Sequence, residues 1–518
     1  MTASAATDAA PHHLPNRSWL LVATGLLSAG IYAAAFTFTW PLWQHFGQPQ
    51  ADYAWFGRYT RESQAIYVSA FGALFVLQYI AYRLVRSHPQ IAPLDLIVAG
   101  QVIFGVLNVW IYPVAALDLY DYLMYGRIVL EYGGNPFLQP PSAFPDPLVG
   151  YSPWPNERSV YGQLWQLISL VPTAVAGESM LRGLVAFKLL GLIAYVGSAL
   201  VIWHLLTRLC PRYAAAGTVL FAWNPLLQFE LVGNGHNDVV MVLFVLLAIW
   251  ALISELRLLV LPLLALAVLT KLLAAALGPV FLYGLLRGHL PLREKLIAIV
   301  GGSAISLGLA VVLYAPFWGG LDTFYFLSRG NWFTASIPTM LRELLRQWYP
   351  FEQAGRLAAT LVGMGIVAFT LFRLWLLWRE ERRDGVAESS WLPWLRAAYD
   401  VTFAYLVFAT LWWQPWYLVW LVALAALVPS RLVHERTLLF CYGGVLNYLV
   451  FKYIWPIYQP MTYTTIMGIS VILIFGLPLL HLACTIALPG GPRRHEESPM
   501  TAPPLRAGRG ARLAPPGG

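Results

Sequence analysis

The chain has 518 residues, of which 58% are apolar and only 11% charged, and its mean hydropathy is +0.62. Soluble domains carry about 25% charged residues, so the composition excludes a water-soluble enzyme and points to a chain that lives in lipid. The net charge of +8 does not indicate nucleic acid, because the basic residues form short clusters between apolar runs and no continuous stripe.

Residues 1–18 read as a short cytoplasmic N-terminus. The apolar run from Trp19 to Trp40 is too long for a secretory h-region and reads as a retained span. Further spans are expected at 65–85, 95–115, 184–206, 213–232, 238–253, 257–270, 271–286, 296–316, 357–378, 399–413, 416–430, 437–453 and 464–487. The expected fold is an all-α polytopic membrane domain over 19–488, with about 11–14 transmembrane helices. With the N-terminus inside, the clusters Arg83/Arg86, Arg208/Arg212, Arg287/Arg293/Lys295, Arg379/Arg382/Arg383, Arg431/Arg436 and Arg493/Arg494 all fall on the cytoplasmic side. That parity requires 161–178, which contains Pro172, to be a surface or re-entrant helix. Segments 116–183 and 317–356 then form the external loops. Both are rich in aromatic residues, and IPTMLRELLRQWY in the second reads as an amphipathic interfacial helix. The tail 489–518, rich in Pro, Gly and Arg, is expected to be disordered. Cys210, Cys441 and Cys484 are too far apart to suggest a disulfide framework or a thiolate site, and read as packing residues.

Four constellations could carry chemistry. Asp118 and Asp121 lie three apart, so on a helix they share a face. A carboxylate there could serve as a general base, or Asp118 could simply cap a helix. Arg127 and Glu131 read as a helix-face pair, and Gly133, Gly134, Asn135 and Pro136 as a turn. Next comes Gly233-Asn234-Gly235-His236-Asn237-Asp238, six small or polar residues between apolar spans, which could line a cavity or form a plain loop. His236 with Asp238 falls short of a metal site, and no metal is expected. Lys271, one of four lysines, interrupts an apolar stretch, as a phosphate partner or as a snorkelling side chain. Lys188 is expected to snorkel. Finally, Trp412, Trp413, Trp416, Tyr417 and Trp420 surround Pro415, as an interface belt or as a sugar-stacking surface.

In order, DLYDYLMYGR with GGNPF, then YGQLW, WNPLLQFELVGNGHND and QPWYLVW resemble the bacterial polyprenol-phosphate-mannose-dependent mannosyltransferases of the membrane-embedded GT-C superfamily, over roughly residues 115 to 420. The resemblance implies a GT-C-like bundle with interfacial helices in the external loops. It implies transfer of a hexose, mannose first, from a polyprenyl-phosphate donor to a glycan or glycolipid, with inversion, at the extracytoplasmic face of a bacterial plasma membrane. Asp118 matches the family's base. By the same resemblance Asp121, His236 and Asp238 orient or assist, and Lys271 with Arg127 meets the donor phosphate. Asn135, Tyr161, Asn234, Asn237, Trp416 and Tyr417 would line the sugar and acceptor path, with no metal and no cofactor beyond the lipid-linked donor. The chain departs from its relatives at Asp121, where they often have Ser, and at Gln163, where they often have Pro. A lipid-linked donor also fits the lack of a glycine-rich nucleotide fingerprint. A transporter or flippase remains the alternative from another class.

Overall fold

The computed structural model describes residues 18–48, 53–56, 58–288, 290–325, 332–384, 390–457 and 461–487. The tail expected to be disordered, the Arg493/Arg494 cluster and all of the N-terminus before Ser18 lie outside them. The named elements among the described residues are all helical, without a strand.

Among the described residues seven helices are long and apolar enough to cross a membrane: Ser18–Thr37, Arg61–Ser87, Met180–Leu209, Leu292–Phe317, Phe351–Arg382, Arg431–Ile457 and Tyr463–Ile486. An eighth candidate consists of Pro225–Gly233 and Asp238–Ile253, bent by 118°. Shorter apolar helices at Leu94–Val109, Gln163–Ala176, Arg257–Thr270, Leu272–Leu286 and Pro415–Leu427 complete the bundle. Full-length spans are thus fewer than the apolar runs suggested. A run reports what lipid tolerates, whereas a continuous helix also needs every internal backbone group bonded.

Local signals set several boundaries. The Thr60 side chain accepts from the Ser63 amide and starts Arg61–Ser87, and Ser179 does the same for Met180–Leu209 through Arg182. Asn224 accepts from the amides of Leu226 and Leu227, so Asn224-Pro225 begins a new helix rather than merely kinking an old one.

Burial divides the helices into two kinds. Every residue of Ala214–Ala222 and Leu418–Leu427 is buried, whereas Leu292–Tyr314 buries only Ala298 and Gly302. The exposed Leu307, Val311 and Val312 of the latter would be costly in water and are at home in hydrocarbon. The chain is therefore a polytopic membrane protein whose centre is protein-packed and whose rim is lipid-facing.

Three expectations need correction, and one arginine finds an unexpected setting. Lys188 does not snorkel: it is fully buried and donates to the carbonyls of Ile111 and Gly233. No headgroup is needed when two carbonyls already meet the ammonium. Trp413 is not in an interface belt but in the core, against Phe440 and Phe475. Arg342, on the expected amphipathic helix, turns inward among the rings of Phe333, Phe351 and Tyr463 and pairs with Glu343 at 2.8 Å. Ring faces and a carboxylate offer its guanidinium more than a headgroup would. The helix Asp118–Leu130 begins at Asp118 with Leu117 in the cap position, so Asp118 is not the cap.

Candidate active site

Five chain segments end at one place. Asp118 opens the helix Asp118–Leu130, Tyr161 precedes the helix Gln163–Ala176, and His236 and Asp238 sit in and after the 118° break. Lys271 is the tip of a hairpin made by Arg257–Thr270 and Leu272–Leu286, whose base is tied by Arg257 donating to the Leu285 carbonyl at 3.1 Å. A 14-residue arm rises only about 21 Å, short of the roughly 30 Å hydrocarbon thickness, so neither arm is a full span. Trp416 and Tyr417 come from the turn before Leu418–Leu427.

Two glycines allow these segments to approach. Gly235 has φ +74°, and a Cβ there would fall 2.4 Å from Leu119, beside Asp118. Gly162 donates to the Thr270 carbonyl at 3.2 Å, and a Cβ would sit 2.0 Å from the Leu269 carbonyl oxygen. Through Gly162, Tyr161 is set against the Lys271 hairpin.

The contacts follow. The Tyr161 hydroxyl donates to Asp118 Oδ1 at 3.0 Å, and His236 Nε2 lies 3.6 Å from Asp118 Oδ2. Lys271 Nζ pairs with Asp238 Oδ2 at 2.6 Å and stands 5.1 Å from the Tyr417 ring. Trp420 donates to the other Asp238 oxygen at 3.4 Å. The His236 ring meets Trp416 edge to face at 3.8 Å between centroids. Asn234 donates to Glu230 Oε2 at 3.0 Å and accepts from the Ala115 amide at 3.4 Å.

Burial raises the Asp118 pKa above the ordinary aspartate value. The Tyr161 hydrogen bond and the Lys271 charge pull it back, and Asp238 adds to the rise. The carboxyl is nonetheless 22% exposed, which gives a reactant access. Burial and the neighbouring Asp118 charge hold the Tyr161 hydroxyl well above the usual phenol range, so it acts as a donor and keeps its proton.

Other expected site residues are placed elsewhere or differently. Asp121 accepts from Ser152 Oγ at 2.5 Å, a bond that secures the external loop. Arg127 donates to Asp146 at 2.8 Å and to the Gly177 carbonyl at 2.7 Å, with Glu131 at 3.9 Å as a weaker companion, so its guanidinium is held by the loop. Asn135 donates to the Phe317 carbonyl at 2.8 Å and accepts from the Phe137 amide, tying one external loop to the other. Asn237 is 1% exposed and neither amide atom has a hydrogen-bond partner, a state that invites a polar ligand. No group of three potential metal ligands occurs among the described residues.

Sequence reasoning missed Glu230. It is fully buried, and its Oε2 lies 3.7 Å from the same His236 nitrogen that faces Asp118. The signal was a lone carboxylate inside an apolar run, six residues before the histidine.

Comparison with known proteins gives the family. Two curated relatives are named alpha-(1->6)-mannopyranosyltransferase A. The Corynebacterium glutamicum protein is 25% identical over 344 residues, covering 60% of this chain and 66% of the relative. The Mycobacterium tuberculosis protein is 27% identical over 334 residues, covering 61% of each. The chain thus spans less than two thirds of the length of either relative. No solved structure matches significantly. The family model described as alpha-(1->6)-mannopyranosyltransferase, N-terminal domain, matches residues 20–287. That stretch is more than half of the chain and holds Asp118, Tyr161, His236, Asp238 and Lys271, so the chain belongs to the MptA_B family.

Proposed function

We propose that the chain is a membrane-embedded glycosyltransferase that moves a hexose, mannose first, from a polyprenyl-phosphate donor to a glycan or glycolipid acceptor, with inversion. The observation that carries this reading is the Asp118 carboxylate, partly open, hydrogen-bonded by Tyr161 and flanked by the Lys271–Asp238 pair. A base and a cation at one opening are the two groups that displacement at an anomeric phosphate needs.

In this mechanism the acceptor hydroxyl donates to Asp118 Oδ2. Its oxygen attacks the anomeric carbon as the bond to the phosphate breaks, and the proton passes to Asp118. Lys271 neutralises the departing phosphate, held in place by Asp238 from behind and by the Tyr417 ring at its side. Tyr161 aims the carboxylate. Asn237 and Trp416 are placed to meet sugar hydroxyls and a ring face. Arg127, fixed by Asp146, acts on the donor only through the loop it orders.

The basic clusters, read by the positive-inside rule, support an extracytoplasmic site in a bacterial plasma membrane. The ionisable groups meet where helices end, and this favours interfacial transfer over transport through the bundle. The test is transfer from polyprenyl-phosphate [14C]mannose by purified enzyme in lipid nanodiscs. Wild type is expected to label a mannoside acceptor and Asp118→Asn is not. Transfer by Asp118→Asn at the wild-type rate overturns the assignment. Labelling of a cysteine introduced at an exposed site such as Trp154 by a membrane-impermeant reagent in whole cells checks the face.

A further inference from the structure

The mechanism leaves one buried acid without a task. Glu230 lies in the π-helical turn Gln228–Gly233, with no exposure, and its Oε1 has no hydrogen-bond partner. Its other oxygen is 3.7 Å from His236 Nε2, and that nitrogen is 3.6 Å from Asp118 Oδ2. One imidazole nitrogen therefore stands between two carboxylates. The ring itself is 1% exposed, and Nδ1 is also without a partner.

Charge balance gives this arrangement a meaning. Of the three carboxylates gathered here, Asp238 is matched by Lys271 at 2.6 Å. Asp118, which also has the Tyr161 hydrogen bond and the more distant Lys271 charge, and Glu230 share His236 between them. Two buried carboxylates facing one uncharged imidazole favour the arrival of a proton among them. Apart from Lys271, whose charge acts on both Asp118 and His236, the other groups facing this triad are uncharged or acidic. Tyr161 and Tyr122 border Asp118, while Asn234, Tyr448 and Tyr67 border Glu230, and Asp238 faces both acids.

We infer that Glu230 is a positioning residue that acts through His236, making the imidazole the second station for the proton that Asp118 takes from the acceptor. The proposal rests on Asp118 being the base. In the step, the Asp118 O–H bond breaks and its electron pair stays on the carboxylate. A bond from the proton to His236 Nε2 forms in its place. Neutral acid plus neutral imidazole becomes carboxylate plus imidazolium, which lies between Asp118 and Glu230. Glu230 makes and breaks no bond. Its charge steadies the imidazolium, and the shared ring keeps Asp118 from holding its proton into the next turnover.

Glu230→Gln keeps the shape and the acceptor oxygen for Asn234 but removes the charge. Its kcat is expected to fall about tenfold with little change in KM, since proton acceptance is worth about 10²–10⁴ in rate overall. The acid limb of the kcat profile is expected to move to lower pH by about one unit, because Asp118 loses a like charge nearby. Glu230→Asp, which restores the charge, is expected to bring the limb back towards wild type. A double-mutant cycle adds a check: in a His236→Gln background, Glu230→Gln should cost no further activity.

A purely structural Glu230 would lower expression and thermal stability without moving the pH limb. An unmoved limb in Glu230→Gln, or additive losses in the double variant, overturns the inference. Should Glu230→Gln fail to fold, Glu230→Asp and His236→Gln decide the matter, and wild-type limbs in both overturn it. If Asp118→Asn is active, the parent reading fails. If Asp118→Asn is inactive while the limb stays fixed, only the Glu230 assignment fails.

Discussion

Two buried histidines show how the two ends of the bundle differ. His434, at the basic end, has every polar need met: Nδ1 is 2.7 Å from the Tyr82 hydroxyl, and Nε2 is 2.7 Å and 3.0 Å from the carbonyls of Val428 and Ala425. The Tyr213 ring stacks on it, with its hydroxyl 2.6 Å from Nε2. His236, at the other end, is as deeply buried, yet neither nitrogen has a hydrogen-bond partner and two carboxylates stand just beyond bonding range. A satisfied buried polar group stabilises a fold, whereas an unsatisfied one costs about 1–3 kcal/mol and persists where a ligand or a proton completes it. The histidine at the basic end is fully paired, and the one at the other end keeps unpaired ring nitrogens.

The two lysines repeat the contrast. Lys188 is enclosed and bonded to the carbonyls of Ile111 and Gly233, which lead into the segments bearing Asp118 and His236. Lys271 keeps 17% side-chain exposure and a single carboxylate partner. The first fixes the two segments, and the second stays partly open beside Asp238.

Substitutions at either end can break this contrast. The largest effect is expected from Asp118→Asn, with transfer down about 10²–10⁴-fold and thermal stability unchanged in a fluorescence melting assay. A matching loss of stability would place Asp118 with the holding residues. His434→Ala is expected to do the reverse. It strips partners from Tyr82, Tyr213 and two carbonyls, costing about 3 kcal/mol and lowering the apparent Tm, while the protein that stays folded keeps its KM. A wild-type Tm in His434→Ala would erase the distinction.

Lys271→Met is expected to raise the KM for the donor about tenfold, the value of a charge-assisted hydrogen bond. It also leaves Asp238 buried and unpaired, so stability falls too. Adding Asp238→Asn should return the Tm without returning the donor affinity, and recovery of both would deny the phosphate contact.

The smallest expected effect is that of Tyr161→Phe. In the proposed mechanism Asp118 acts as the ionised base, so activity is expected to be lost as the pH falls through its pKa. Burial already raises that pKa, and the Tyr161 hydrogen bond lowers it. Removing the hydroxyl should therefore move the acid limb upward, by less than about one pH unit. A downward or absent shift in the pH profile would show that Tyr161 does not bond the working carboxylate.

Much of the site was legible as residue types. Asp118, His236, Asp238 and Lys271 each interrupt apolar sequence, and lipid penalises such interruptions unless they are used or paired. Which of them meet was not legible. Asp118 and Asp121, three residues apart, go to different partners, Tyr161 and Ser152. Arg127, placed near the donor by resemblance, is taken by Asp146, a loop residue that spacing along a helix could not nominate. Glu230 escaped notice because a single acid in an apolar run looks the same whether it is paired, protonated or idle.

The sequence by itself determined that this protein lives in lipid, because an 11% charged chain has too few polar groups to cover a surface in water. It also determined where polar groups interrupt the spans, and the family motifs they carry. Only the tertiary structure decided that five segments from residues 118, 161, 236, 271 and 416 converge, that Lys188 is enclosed, and that His236 lies between two acids. Partner choice is a contact between positions far apart in the chain. It depends on how helices end, bend and approach at Gly162 and Gly235, and local periodicity carries no information about distances across the bundle.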